Sequence, residues 1–111
     1  MSQYLFLYRG GRRPESPAEG EQVMQKWIAW MRDLDQKGHL KDGGQPLEAD
    51  GKVVRANGKS ITDGPYAESK DIVGGYTIVD ASDLNQAAEL SKGCPVFDRD
   101  GIVEVRPVMQ M

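Results

Sequence analysis

The stretch Tyr4-Leu5-Phe6-Leu7-Tyr8 decides how the rest of the chain is arranged. Side chains alternate between the two faces of a strand, so the three aromatic rings share one face and the two leucines share the other. Both faces are apolar, which is typical of a strand in a sheet that is covered on both sides. The sequence therefore predicts a first strand here whose two faces each need a partner.

A long amphipathic helix follows this strand. Ser16 is suited to cap it, Pro17 suits the first helical position, and Glu19 completes a capping box. Apolar residues then recur with a helical period at Val23, Met24, Trp27, Ile28, Trp30, Met31 and Leu34. Gly38 is expected to end the helix. The pattern predicts a helix over residues 17–37, about 30 Å long, with both tryptophans in the core.

The middle of the chain carries two tight-turn dipeptides, Asp50-Gly51 and Asn57-Gly58. Val53 and Val54 mark a strand between them, and a partner strand follows the second turn. The pattern predicts a hairpin over residues 47–62.

After the first helix, residues 39–47 are expected to form a short second strand or an extended segment broken by glycines, and the last third of the chain repeats this strand–helix–strand order. A strand is expected over residues 75–80, a helix from the cap Asp83 to Gly93, and a final strand over residues 102–108. Two strand–helix–strand halves around a hairpin predict one ferredoxin-like α+β domain over residues 1–111, with two helices on one face of an antiparallel sheet.

Two helices can cover only one face of such a sheet. We expect the other face to carry Tyr4, Phe6 and Tyr8, together with Tyr76 and Ile78. Each such side chain contributes about 1.5–3 kcal/mol when buried, and the total is comparable with the roughly 4–15 kcal/mol that association costs. An exposed patch of this size is unusual, so the sequence predicts a homodimer with the sheets face to face.

Composition and charge limit the kinds of partner and cofactor that we expect. Formal net charge is −3, which does not favour nucleic acid, and no apolar run approaches the roughly 20 residues of a membrane helix. The N-terminus lacks the basic region of a signal peptide, so we expect a cytoplasmic protein. With one histidine, His39, and one cysteine, Cys94, neither a disulfide framework nor a metal site is expected, and no cofactor is indicated.

Two local features have competing interpretations. Arg9, Arg12 and Arg13 lie in or next to a glycine-rich loop and could hold an anion, although a solvated loop is favoured. Cys94, at a helix end, is expected to act as a small apolar residue, because a nucleophile would need a nearby histidine.

The densest group of special residue types is Thr62-Asp63-Gly64-Pro65-Tyr66-Ala67-Glu68-Ser69-Lys70, followed by Gly74-Gly75-Tyr76. Asp63 is the candidate catalytic residue. Its carboxylate can act as acid, base or ligand acceptor in a pocket between the sheet and the first helix. Alternatively, it bonds the backbone amides of its own turn and holds the loop.

Four residues around Asp63 are candidates for ligand binding. Tyr66 and Tyr76 can line a small-molecule pocket and offer hydroxyl groups, or they can lie in a subunit interface. Glu68 and Lys70 can polarise a ligand as a pair, or form a loose surface pair worth under about 1 kcal/mol. The glycine pair 74–75 is expected to allow a close backbone approach or a bulge.

This run resembles the DGPF motif of the YCII-related (DGPF-domain) proteins. The resemblance extends from Val54-Arg55 to Pro107, and Tyr66 stands where the motif's name has phenylalanine. It implies a dimeric α+β barrel of ferredoxin-like subunits. Proteins of this kind are often encoded near extracytoplasmic-function sigma factors.

The resemblance also implies an active-site pair in the YCII proteins proper, formed by an aspartate and a histidine of the first helix. The predicted helix here contains no histidine, and His39 lies just beyond its end. Two kinds of function therefore stay open. One is a small-molecule-binding protein or weak enzyme with its site around Asp63. The other is a non-catalytic dimeric module that acts as a regulatory partner, with a link to sigma factors.

Overall fold

A computed structural model describes residues 1–111, apart from the side chain of Ser69, and over these residues the chain forms six strands and two α-helices. In chain order they are β1 Ser2–Gly10, α1 Pro17–Gln36, β2 Leu40–Asp42, β3 Gly51–Arg55, β4 Ser60–Gly64, β5 Val73–Ala81, α2 Leu84–Ser91 and β6 Gly101–Pro107. Short 3₁₀ turns lie at Ser69–Asp71 and Pro95–Arg99.

Both helices begin at the predicted caps. Ser16 Oγ accepts a hydrogen bond from the Glu19 N–H at 3.1 Å, and Asp83 Oδ1 accepts one from the Gln86 N–H at 2.7 Å. These side chains satisfy amide groups that have no partner inside the helix.

The main sheet has the strand order β2-β5-β1-β6, and each neighbouring pair is antiparallel. This is the ferredoxin-like arrangement of two strand–helix–strand units, with β3 and β4 inserted between the halves. Residues of α1 and α2 meet the same face of the sheet in one core. The predicted α+β fold is confirmed.

The helices cover the face opposite to the one predicted. Tyr4, Phe6 and Tyr8 are buried beneath them, and the Phe6 ring stacks on Trp30 with centroids 6.2 Å apart. Tyr8 meets the edge of Trp27 at 4.8 Å. The prediction that these three rings lie on the open face is therefore wrong. Alternation decides which side chains share a face, but it does not decide which face receives the helices.

The open face of the sheet is still apolar. Leu5 pairs with Ile78 and Leu7 pairs with Tyr76 across β1 and β5, and these four side chains are partly exposed. Tyr76 and Ile78 thus lie on the face where the sequence placed them.

Strands β3 and β4 form a hairpin, which we call the arm and define as residues 51–64. They pair with each other in a separate two-stranded sheet, and Ala56 and Asn57 adopt positive φ at its tip. The Asn57-Gly58 turn is confirmed, whereas Asp50-Gly51 begins β3 and makes no second turn within the hairpin. The radius of gyration is 15.5 Å, compared with about 13 Å for a compact chain of this length, because the arm projects from the body.

The glycine pair near the start of β5, Gly74-Gly75, allows a close backbone approach. Pro46 bridges to Gly75, and a side chain at Gly75 would meet the Gln45 carbonyl oxygen at 3.0 Å. The segment after β2 therefore lies directly against β5 at its N-terminal end. Opposite this point, the register between β1 and β5 shifts between Tyr8 and Arg9.

Candidate functional site

The DGPF-type motif spans the base of the arm. Asp63 and Gly64 are the last two residues of β4, and a cis peptide bond joins Gly64 to Pro65. Beyond it, the chain turns back so that Tyr66 lies next to Arg55 of β3. The motif is therefore divided between a strand and the segment that returns to the sheet.

Asp63 lies on the outer surface of the arm. Its Oδ1 accepts a hydrogen bond from Lys52 Nζ at 2.5 Å, and the two residues are direct partners across the arm. The Asp63 side chain is 88% exposed. Among the described residues Lys52 is its hydrogen-bond partner, so the carboxylate neither holds the amides of its own turn nor enters a pocket beneath α1. The reason is that Asp63 still belongs to a strand, whose alternation directs it outward.

Tyr66 has an exposed aromatic face. The residue is 79% exposed, and the guanidinium carbon of Arg55 lies 5.2 Å from the ring centroid. This distance suits a cation–π contact. The contact orients the ring against the arm and leaves most of it open to solvent.

A cleft of about 260 Å³ separates the base of the arm from the end of β1. Its apolar lining includes Pro65, Tyr66 and Ile72, and its charged lining includes Arg9 and Asp71. Two residues of the motif therefore line a concave surface together with a cation. Glu48 and Asp50 add acidic groups at the same cleft.

Arg9 is held in a defined position at this cleft. Its Nε donates to Glu104 Oε1 at 2.9 Å, and a terminal nitrogen donates to the Asp71 carbonyl oxygen at 2.8 Å. The side chain is 29% exposed. The planar guanidinium is thus fixed before any ligand arrives. The sequence pattern grouped Arg9 with Arg12 and Arg13 and did not single it out. The signal that could have done so is the alternation of β1, in which Arg9 follows Leu5 and Leu7.

The segment between Tyr66 and β5 packs tightly on the end of β1. The Gly10 N–H donates to the Ile72 carbonyl oxygen at 3.0 Å. A side chain at Gly10 would lie 2.6 Å from the Lys70 carbonyl oxygen, and its φ of +67° also favours glycine. Gly10 therefore lets this wall of the cleft approach the sheet.

The other predicted ligand residues do not gather around Tyr66. Glu68 and Lys70 are both exposed, and over the described part of the chain they form no ion pair with each other. Tyr76 lies on the open face of the sheet beside Leu7 and is not part of the cleft lining.

In the rest of the predicted anion loop, the Arg12 side chain has a structural partner, and the backbone of Arg12 and Arg13 is bound by Arg99. Arg12 pairs with Asp100 at 2.5 Å, and Arg99 donates to the carbonyl oxygens of Arg12 and Arg13, both at 2.7 Å. Arg99 also bonds Glu19, and this hydrogen bond holds the pKa of the Glu19 carboxyl below its ordinary value. The structure does not bring the three arginines of the loop together on a ligand.

A second, larger cleft of about 480 Å³ lies beside this network, near the start of α1. Its charged lining is balanced between Lys26 and Arg99 on one side and Glu19 and Asp98 on the other. Lys26 pairs with Asp98 at 3.3 Å, so these charges satisfy one another. The arrangement holds the Pro95–Arg99 turn against α1.

His39 and Cys94 are both structural in this fold. His39 Nδ1 lies 2.8 Å from the Asp80 carbonyl oxygen and donates to it next to β2. Burial raises the pKa of the Cys94 thiol to about 12, and its Sγ accepts from the Val96 N–H at 3.5 Å. Within the described residues, no three His, Cys, Asp or Glu side chains gather as a metal site. Nor does any described helix have the length and apolarity needed to span a membrane.

The chain was compared with known families, curated proteins and solved structures. A model of the YCII-related domain matches residues 4–111. No curated protein matches the chain in sequence. Among solved structures, a 5-chloro-2-hydroxyhydroquinone dehydrochlorinase from Burkholderia phenoliruptrix AC1100, in complex with 2,5-dihydroxybenzoquinone, aligns with 16% identity and a TM-score of 0.48. That alignment covers 98% of this chain and 95% of the dehydrochlorinase chain.

Proposed function

This chain belongs to the family of proteins with a YCII-related domain, and we propose that it binds a small molecule in the cleft at the base of the arm. The observation that carries this proposal is the meeting of Pro65 and Tyr66 with Arg9 around one concavity of about 260 Å³.

The chemistry of the cleft defines the class of ligand. The exposed face of Tyr66 offers a stacking surface, and Arg9 offers a fixed guanidinium that can meet an oxygen. The volume is just below the roughly 300–1,000 Å³ of typical ligand pockets, which suits a compact molecule. Because Glu48, Asp50 and Asp71 also line the cleft, a neutral ligand is favoured over an anion. We therefore favour a small planar ligand with a neutral oxygen substituent, such as a phenol.

The role proposed for Asp63 is less direct. Its carboxylate is solvated and paired with Lys52, so within one subunit it is separated from the cleft lining. Binding is therefore the function that the geometry supports best, and catalysis by Asp63 requires a ligand or a second subunit to approach the arm.

A screen of small phenols by thermal shift tests this proposal. A molecule that binds the folded state raises the melting temperature by mass action. For each binder we expect Tyr66→Ala to weaken the affinity about tenfold or more, which corresponds to about 1.4 kcal/mol. Tyr66→Phe keeps the ring and is expected to keep most of the affinity. Lys26→Ala, at the other cleft, is the control.

Two results would count against the cleft as a ligand site. One is a screen in which no phenol stabilises the protein. The other is a binder whose affinity is the same in Tyr66→Ala and in Lys26→Ala.

The open face of the sheet supports a second candidate function, that of a homodimeric module. Leu5, Leu7, Tyr76 and Ile78 form a continuous apolar patch that no helix covers. We propose that a second copy covers this face, and that the dimer serves as a regulatory partner if it binds no small molecule. Sedimentation at micromolar concentration tests the dimer, and Leu7→Glu is expected to dissociate it.

A further inference from the structure

We propose that the arm packs on a second copy of this chain through the surface formed by Lys52, Val54, Ile61 and Asp63, which we call the outer arm surface. The inference rests on the homodimer proposed above and extends it, because the sheet face alone does not involve the arm. It also gives the motif residue Asp63 a location at a subunit interface.

The two faces of the arm differ in what covers them. Val54 and Ile61 are direct partners across the arm and project from the outer surface, where they are 58% and 66% exposed. On the opposite face Val53 is partly buried, and Tyr66 packs near Arg55. The apolar pair on the outer arm surface, Val54 and Ile61, is therefore largely uncovered in its own subunit.

An isolated arm of this kind needs a partner for stability. A two-stranded hairpin alone is at best marginally stable in water, and it becomes stable with further strands or by packing on another element. Across the described residues, β3 and β4 make their substantial contacts with each other. A β-branched pair such as Val54 and Ile61 is well suited to supply the missing packing when it is covered.

The area of the sheet face indicates that the partner is a second copy. Four strands about 4.8 Å apart, with about seven residues rising 3.3 Å each, cover on the order of 450 Å². A stable interface buries about 800 Å² on each partner, so the open face supplies roughly half of what a dimer needs. Val54 and Ile61 on the outer arm surface add exposed apolar area that can supply part of the difference.

The shape of the molecule allows one partner to contact both surfaces. The principal extents are 45 × 43 × 18 Å, so the molecule, arm included, extends only 18 Å along its shortest axis. A copy stacked on the open face can therefore extend onto the arm. Charge also fits a symmetric contact, because Lys52 and Asp63 place both signs side by side and each can meet its opposite in the partner.

Matched lysine substitutions on the two faces of the arm test the inference. Ile61→Lys and Val54→Lys place a charge on the outer arm surface, whereas Thr62→Lys places the same charge on the other face of the same strand. We expect the two outer variants to weaken dimerisation tenfold or more in sedimentation equilibrium, with Thr62→Lys within threefold of the wild type. All three substituted positions are exposed, so circular dichroism should show unchanged folding.

A photo-crosslinking side chain gives a direct readout. Benzoylphenylalanine at position 61 is expected to trap a covalent dimer on irradiation, and the same group at position 62 is not. A wild-type dimer whose affinity is unchanged by Ile61→Lys and Val54→Lys would overturn the arm contact but leave the sheet interface standing. A wild-type monomer at 100 µM would overturn both, while the ligand screen at Tyr66 remains an independent result.

Discussion

The hydroxyl of Tyr8 donates a 2.7 Å hydrogen bond to Oγ1 of Thr77 between the two central strands of the sheet. The Thr77 hydroxyl in turn donates to the Gly43 carbonyl oxygen at 3.1 Å. Burial raises the pKa of the Tyr8 hydroxyl, so the group stays protonated and remains a donor. These two hydrogen bonds join the core to the segment that follows β2, and they lie on the sheet face that the helices cover.

Substitutions of the two side chains that form these hydrogen bonds should have unequal costs. Tyr8→Phe removes one neutral hydrogen bond while Thr77 keeps its bond to Gly43, so we expect a loss of about 1 kcal/mol. Thr77→Val leaves the buried Tyr8 hydroxyl without its acceptor, and the cost should be larger, about 1–3 kcal/mol. Urea denaturation measures both. Equal losses would mean that the hydroxyl of Tyr8 finds another partner.

Two adjacent glycines after β2 provide a test of the close approach to β5. Gly44 has φ +71°, and a side chain there would overlap the carbonyl oxygen of Tyr76. Gly43 has open space around it. We expect Gly44→Ala to destabilise the fold by about 2 kcal/mol or more, since a left-handed conformation alone costs roughly 1–2 kcal/mol.

Gly43→Ala is the matched control for this substitution. It should change the free energy of unfolding by no more than about 0.5 kcal/mol, the usual range for surface changes. If thermal or urea unfolding showed the two variants to be equally stable, the segment after β2 would not lie against β5 as described.

Neutralising Asp63 should hardly affect stability. Its partner Lys52 is 67% exposed and Asp63 is 88% exposed, so solvent screens the pair. Such pairs contribute about 0–1 kcal/mol, and we expect Asp63→Asn and Lys52→Gln each to stay within that range in urea denaturation. A loss of several kcal/mol on Asp63→Asn would instead assign the motif a structural role. If folding is intact and binding or dimerisation is lost, the role is functional.

Cys94 should react slowly with thiol reagents while the protein is folded. Its pKa of about 12 leaves roughly one thiol in 10⁴ ionised at pH 8, whereas an ordinary pKa of 9.0 leaves about one in ten. We expect labelling of the native protein to be at least a hundredfold slower than labelling in urea, and to speed up as pH rises towards 12. Rapid native labelling at pH 8 would show that this part of the fold opens readily.

Several elements of this protein follow from local sequence. Ser16 and Asp83 each accept a hydrogen bond from an amide three residues later, and such caps depend on adjacent residues alone. The Asn57-Gly58 turn likewise depends on residues that tolerate positive φ. With the strand and helix periods, these signals were sufficient to predict the ferredoxin-like order of elements, whereas the family was predicted from the resemblance of the run around Asp63-Gly64-Pro65-Tyr66 to the DGPF motif.

Tertiary structure decided which side of the sheet became the core. The sequence by itself determined that Tyr4, Phe6 and Tyr8 share a face, but both faces of β1 are apolar, so alternation could not choose between them. Packing against Trp27 and Trp30 made the choice, since the large rings fill the space beneath α1.

The candidate functional site was likewise only partly determined by the sequence. The sequence by itself determined the motif, and it drew attention to Asp63 and Tyr66. It could not place Arg9 next to Tyr66, because the two residues are far apart in the chain and meet only when the returning segment packs on the end of β1. Nor could it show that Asp63 faces outward, since that depends on how far β4 extends before Pro65 ends it.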